Sequence, residues 1–182
     1  QQADAWFCLP HQADDDFVRR FAQLVKERLD PSLKIYIEYS NEVWNGQFKQ
    51  CQYAGEQGVR LGLGPKERPW EAGWAYTARR SLEIFAIWED VFGGHARFVR
   101  VVPTQSANSG VTQGILRYPG LAQHADALAI APYMGYSVGQ GKTAEKAEAM
   151  RTWSVEQMFA DFEKVGFEES LRHMRMNKEL AD

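Results

Sequence analysis

Two adjacent residues, Asn41 and Glu42, carry the clearest chemistry in this chain. A carboxylic acid can protonate a departing alcohol oxygen and later, as carboxylate, draw a proton from water. Glycoside hydrolysis needs such a group, together with a neighbour that holds the sugar 2-hydroxyl as charge builds on the ring. An amide directly before the acid suits that second task. The acid must also keep its proton near neutrality, which apolar walls favour, and Trp44 offers one such wall. Taken alone, Asn41-Glu42 reads far more readily as a helix N-cap followed by a first-turn acid than as a catalytic pair. Context separates the two readings. The pair follows an apolar, strand-like segment, and three other such segments also end in polar or aromatic residues: Leu9-Pro10-His11, Pro103-Thr104-Gln105 and Pro132-Tyr133-Met134. In a series of parallel strands joined by helices, functional residues gather at the strands' carboxyl ends.

The elements that must position these residues alternate short apolar strands with amphipathic helices, an α/β pattern. Residues 5–9 form the first strand, stopped by Pro10. Asp14, Asp15 and Asp16 supply an N-cap and first-turn acids for a helix carrying Phe17, Phe21, Leu24, Val25 and Leu29 at helical spacing. A second strand spans 33–39, with Ile35, Ile37 and Tyr39 alternating with Lys34, Tyr36 and Glu38. Strand parity then puts Glu38 on the same side as Glu42. A helix over 46–61, a turn cluster at Gly62-Leu63-Gly64-Pro65 and a long helix over 70–92 follow. Trp74, Thr77, Ala78, Leu82, Phe85, Ile87 and Trp88 give the long helix its apolar surface, and Gly93-Gly94 ends it. A third strand over 97–102, a polar loop over 104–110, a short helix near 114–118 and a fourth strand over 127–131 come next. A Gly-rich loop through Gly141 leads to closing helical structure from about 154 onward. No repeat, low-complexity tract or linker divides residues 1–182, so a single domain is expected.

Composition narrows the function classes. A net charge of −3 gives no electrostatic case for nucleic acid or an anionic membrane as partner. No stretch is long and apolar enough to cross a bilayer. His95, His124 and His173 show no metal spacing, and neither a metal nor a cofactor is expected. Cys8 and Cys51 could pair, but two cysteines do not identify a redox compartment. Trp44, Trp70 and Tyr136 are types that stack on pyranose rings, although aromatic residues serve more often as core. The sequence opens without an initiator Met or signal peptide and runs straight into a strand, as in a processed chain or an excised fragment.

The segment Glu38-Tyr39-Ser40-Asn41-Glu42-Val43-Trp44-Asn45 resembles the fourth-strand motif of the clan of retaining (β/α)₈ glycoside hydrolases, which includes cellulases, mannanases, xylanases and xylosidases. It is most similar to cellulase-like bacterial proteins whose motif reads Tyr-Ser-Asn-Glu-Val-Trp-Asn. The stretch Trp6 through Asp14 resembles that family's third strand and its loop, and Ala131-Pro132-Tyr133 its sixth-strand end.

The resemblance implies a partial (β/α)₈ barrel of four consecutive βα units. Glu42 would be the general acid/base and Asn41 its 2-hydroxyl-binding neighbour. Glu38 would be an acidic residue inside the barrel, structural rather than catalytic. His11 would line the site, although it reads equally as a loop histidine bonded to backbone. Tyr133 would lie near the nucleophile. The implied substrate is a β-1,4-linked polysaccharide, cellulose or a related β-glucan, met outside the cell or in the periplasm. The chain aligns with strands three to six of that barrel. The family's nucleophile, a Glu ending strand seven, finds no match here, and the helical Glu179 is a poor stand-in. A non-catalytic carbohydrate-binding or scaffold half-barrel is therefore the competing expectation. Two copies of four strands would make eight, so a homodimer completing the barrel is also expected.

Overall fold

The computed structural model describes residues 2–133 and 143–182. Among them the chain divides into two compact units, one of residues 1–105 with 110–129, the other of 106–109 with 130–182.

The first unit is α/β. Strands β1 (Ala5–Leu9), β2 (Ile35–Tyr39), β3 (Phe98–Pro103) and β4 (Ala127–Ala129) form one sheet in the order β1-β2-β3-β4. Every pairing is parallel, with Leu9 opposite Tyr39, Glu38 opposite Val101 and Pro103 opposite Ala129. Parallel neighbours require crossovers, here made by helices α1 (Asp15–Arg28), α2 (Lys49–Arg60), α3 (Pro69–Phe92) and α4 (Ser109–Leu116). The strand order never reverses. Right-handed crossovers then carry every helix to the same face of the sheet. The core confirms this arrangement. Leu9, Ile35, Ile37, Tyr39, Phe98 and Val102 pack with Val18, Ala22 and Val25 of α1 and with Ile84, Phe85 and Trp88 of α3. The opposite face carries the alternate residues Trp6, Cys8, Tyr36, Glu38, Val99 and Val101.

Local signals explain most boundaries. The Asp14 side chain caps α1 by accepting the Phe17 N–H at 2.8 Å, with Asp15 and Asp16 in the first turn. Pro69 opens α3, and Gly93 closes it in the left-handed conformation (φ 78°) that glycine adopts without penalty. Two expectations fail. Phe17 and Leu24 do not belong to the buried stripe of α1 and are 47% and 50% exposed, because the residues that meet the sheet and α3 are Val18, Ala22 and Val25. The short helix before β4 starts five residues earlier than spacing suggests, at Ser109 rather than Gly114. Cys8 and Cys51 are free thiols.

The second unit is helical: α5 (Ala144–Met150), α6 (Val155–Asp161), a wider π-wound stretch (Phe162–Phe167) and α7 (Glu168–Ala181). Ser154 and Gln157 start α6 with a reciprocal capping box. Closing helical structure is expected from 154 onward, and α5 precedes it.

Candidate active site

The parallel register brings the carboxyl ends of β1, β2 and β3 to one edge of the first unit, where the β1 and β2 loops are tied together. The Ser40 N–H donates to the Leu9 carbonyl at 2.8 Å. The Tyr39 hydroxyl, wholly buried, donates to the His11 carbonyl at 3.1 Å. His11 itself is half-buried, with its ring edge-on to Tyr53 at 5.2 Å. Tyr53, Tyr76 and Tyr39 continue as an edge-to-face series behind the strand end. Burial pushes the Tyr39 phenol well above its ordinary value and the Tyr76 phenol up to about 12, so both keep their protons.

Glu42 sits in this loop with an unusual backbone. Among the described residues, the non-glycine positions with positive φ are Ser40 (63°), Glu42 (45°) and Ala131 (44°). Ser40 directly follows β2, Glu42 lies further along the same loop, and Ala131 lies just beyond β4. Left-handed conformations of ordinary residues are held only where the surroundings over-determine them, and they cluster at functional sites. The surroundings here are a closed turn. The Glu42 carbonyl accepts the Asn45 N–H at 2.9 Å, while Asn45 Nδ2 donates to Glu42 Oε2 at 2.9 Å. Asn45 Oδ1 accepts the Gln47 N–H at 3.1 Å, and Gln50 Nε2 donates to the Asn41 carbonyl at 2.7 Å. Glu42 is half-buried and Asn41 exposed. The same positive φ values break the strand parity between Glu38 and Glu42, so the expected alignment of the two carboxyls along one extended strand is not made.

Asn45 and Tyr39 are the site residues that the reading of residue types passes over. Both lie inside the quoted motif. Asn45 orients the Glu42 carboxyl, and Tyr39 fixes the His11 loop. Trp44, expected beside the acid, is half-buried and packs on the hydrophobic core beneath the loop. Tyr133 belongs to the second unit, where it is 65% exposed and its carbonyl accepts the Ser170 hydroxyl at 3.5 Å. Tyr136 and Met134 lie outside the described residues.

Glu38 is only 7% exposed and accepts the Trp6 indole N–H at 2.8 Å. Burial pushes its carboxyl above the ordinary range, against the pull of the Trp6 and Cys8 hydrogen bonds. Burial, and then the neighbouring Glu38 carboxylate, push the Cys8 thiol up to about 11, so it is a poor nucleophile near neutral pH. Among the described residues, no group of three or more His, Cys, Asp or Glu could hold a metal ion, and no helix is long and apolar enough to cross a membrane.

Compared with protein-family profiles, curated proteins and solved structures, the chain gives no match.

Proposed function

We propose that this chain carries the acid/base side of a retaining (β/α)₈ glycoside hydrolase acting on β-1,4-linked polysaccharide, cellulose or a related β-glucan. Glu42 gives its proton to the leaving glycosidic oxygen and, as carboxylate, then takes one from the water that releases the sugar. Asn41 holds the 2-hydroxyl. His11 and Trp44 contact the sugar rings. A polymer of this kind is met outside the cell or in the periplasm. The mechanism also needs a second carboxylate about 5–5.5 Å away as nucleophile, a role given to no residue of these four βα units.

The observation that carries this reading is Glu42 in a left-handed, hydrogen-bonded turn directly after a strand of a parallel sheet. The consecutive order β1-β2-β3-β4, with helices on one face, is the order in which a (β/α)₈ barrel wall is built. A doubly wound sheet would reverse its order part-way.

Hydrolysis of soluble β-glucan by Glu42→Gln, compared with wild type, tests the role. Loss of general acid/base help lowers turnover about 10²–10⁴-fold. Aryl β-glycosides whose leaving group departs without a proton lose less in the bond-breaking step. Equal activity of the two proteins removes Glu42 from the mechanism. Binding of β-glucan by wild type without any turnover supports a carbohydrate-binding half-barrel instead.

A further inference from the structure

On the helical layer of the first unit, the α2–α3 connection, the first turns of α3 and one side of α4 line an open cavity of about 760 Å³. That volume falls within the roughly 300–1,000 Å³ range of small-molecule sites. None of its walls comes from the Glu42 loop; they include Arg68, Glu71, Trp74, Gln113, Arg117 and Tyr118. Two glycines shape it. A Cβ on Gly114 would stand 2.3 Å from Trp74 Cε3, so only glycine there lets the indole lie against α4. A Cβ on Gly64 would stand 2.8 Å from Ala72 Cα, so only glycine lets the connection settle onto α3.

The polar groups around the cavity come in ordered pairs. Arg68 Nη1 donates to Glu71 Oε1 at 2.7 Å, and Arg117 Nη2 donates to Gln113 Oε1 at 2.9 Å. Each pair sets donors and acceptors side by side on planar groups, next to the rings of Trp74 and Tyr118. Arg68 is ion-paired with Glu71, while Arg117 shares one N–H with the neutral Gln113 amide and keeps its other donors, so the walls offer both donors and acceptors. A neutral polyol needs mixed donors and acceptors for its hydroxyls and an aromatic face for its C–H face.

We propose that this cavity is a second carbohydrate site, separate from the Glu42 loop, that holds a segment of β-1,4-linked glucan. The glucan class rests on the function proposed above. The site would anchor the polymer on the helical layer while the strand-end loops work on another part of it.

Affinity electrophoresis of the 182-residue chain in hydroxyethyl cellulose, beside turnover of an aryl β-glycoside, tests this. Gln113 and Arg117 are exposed on or just after α4, so the double variant Gln113→Ala/Arg117→Ala leaves the packing intact, checked by its melting curve. Losing two hydrogen-bonding side chains is expected to weaken retardation about tenfold. Turnover of the small aryl glycoside stays as in wild type. Gly114→Ala, which pushes the Trp74 ring off α4, is expected to weaken retardation as well. Wild-type retardation of the double variant overturns the site. So does a wild-type chain that is not retarded, or one equally retarded in soluble starch. The two proposals fail separately. If Glu42→Gln loses turnover while the double variant is still retarded, the cavity assignment alone is wrong. If the double variant loses retardation while Glu42→Gln keeps turnover, the cavity stands and the catalytic reading falls.

Discussion

Arg100 is expected to lock the sheet to the helical layer, and replacing it with Met should destabilise the first unit by about 2–3 kcal/mol. Arg100 lies on β3 opposite Ile37, so its side chain faces the helices, and it is 7% exposed. Its Nε and Nη2 donate to the two Asp126 oxygens at 3.0 and 2.7 Å, and its Nη1 donates to Glu89 of α3 at 3.0 Å. Methionine keeps the apolar stem but removes three charge-assisted hydrogen bonds. Asp126 and Glu89 are then left without their cation. Breaking a fully buried pair costs about 3–5 kcal/mol. Asp126 and Glu89 side chains each keep 31% exposure, so water repays part of this and the estimate falls to about 2–3 kcal/mol. Asp126 also retains the Arg100 backbone N–H at 2.8 Å, which softens the loss further. The Arg100 guanidinium holds the Asp126 carboxyl below its ordinary range. Its stabilising effect is thus present above the unfolded-state value and fades as pH falls through the lower folded-state value. Urea unfolding followed by tryptophan fluorescence, at neutral pH and at about pH 3, reads both effects. The Arg100→Met deficit should shrink at acid pH. In the double variant with Asp126→Asn, the losses should fall short of additivity by about 1 kcal/mol or more. A neutral-pH midpoint within error of wild type, or strict additivity, would refute the clamp.

Gly58→Ala should destabilise by about 3 kcal/mol, because its Cβ would stand 2.1 Å from the Ala72 carbonyl oxygen and force α2 off α3. Gly46→Ala, with nothing within 4 Å of its Cβ, is the control, and equal melting temperatures for the two variants would contradict this packing. Glu38→Gln removes a titration whose folded-state value is raised by burial, so the stability it supplies is present at acid pH and lost as pH rises through that value. Wild type should therefore lose ground to Glu38→Gln between acid and neutral pH, and a pH-independent difference between them would count against the burial. If two copies pair through the outer strands β1 and β4 to close a barrel, sedimentation equilibrium should give twice 20.8 kDa, and a monomer at micromolar concentration rules that assembly out.

Local signals carried most of the fold in the sequence. β1 was legible to the residue because an apolar run meets Pro10, and α1 because Asp14 precedes two first-turn acids. The end of α3 was legible from Gly93. Facing was harder. Large apolar residues point to Phe17 and Leu24 as core, yet the sheet and α3 take the smaller Val18 and Ala22 and leave the larger ones outside. Only tertiary packing decides between two stripes of similar hydrophobicity on one helix. The buried guanidiniums were not legible either, because their partners are remote in sequence. Arg80 reaches Asp15 of α1 and Ala13 in the loop before it, and Arg100 reaches Asp126.

The candidate site divides along the same line. Residue types single out Asn41 and Glu42, and the strand before them gives their address. Extending that strand through Glu42 is where periodicity misleads, since an alternation rule holds only while the backbone stays extended. Ser40 and Glu42 both turn left-handed, at a steric cost of about 1–2 kcal/mol each. Other contacts must offset that cost. The Ser40 N–H to Leu9, the Asn45 amide on the Glu42 carboxyl and the Gln50 amide on the Asn41 carbonyl are the bonds that do so. Their donors lie up to nine residues from the acceptors, or on a neighbouring strand. A sequence window centred on Glu42 therefore contains the acid and the amide, but not the reason the loop holds them where it does.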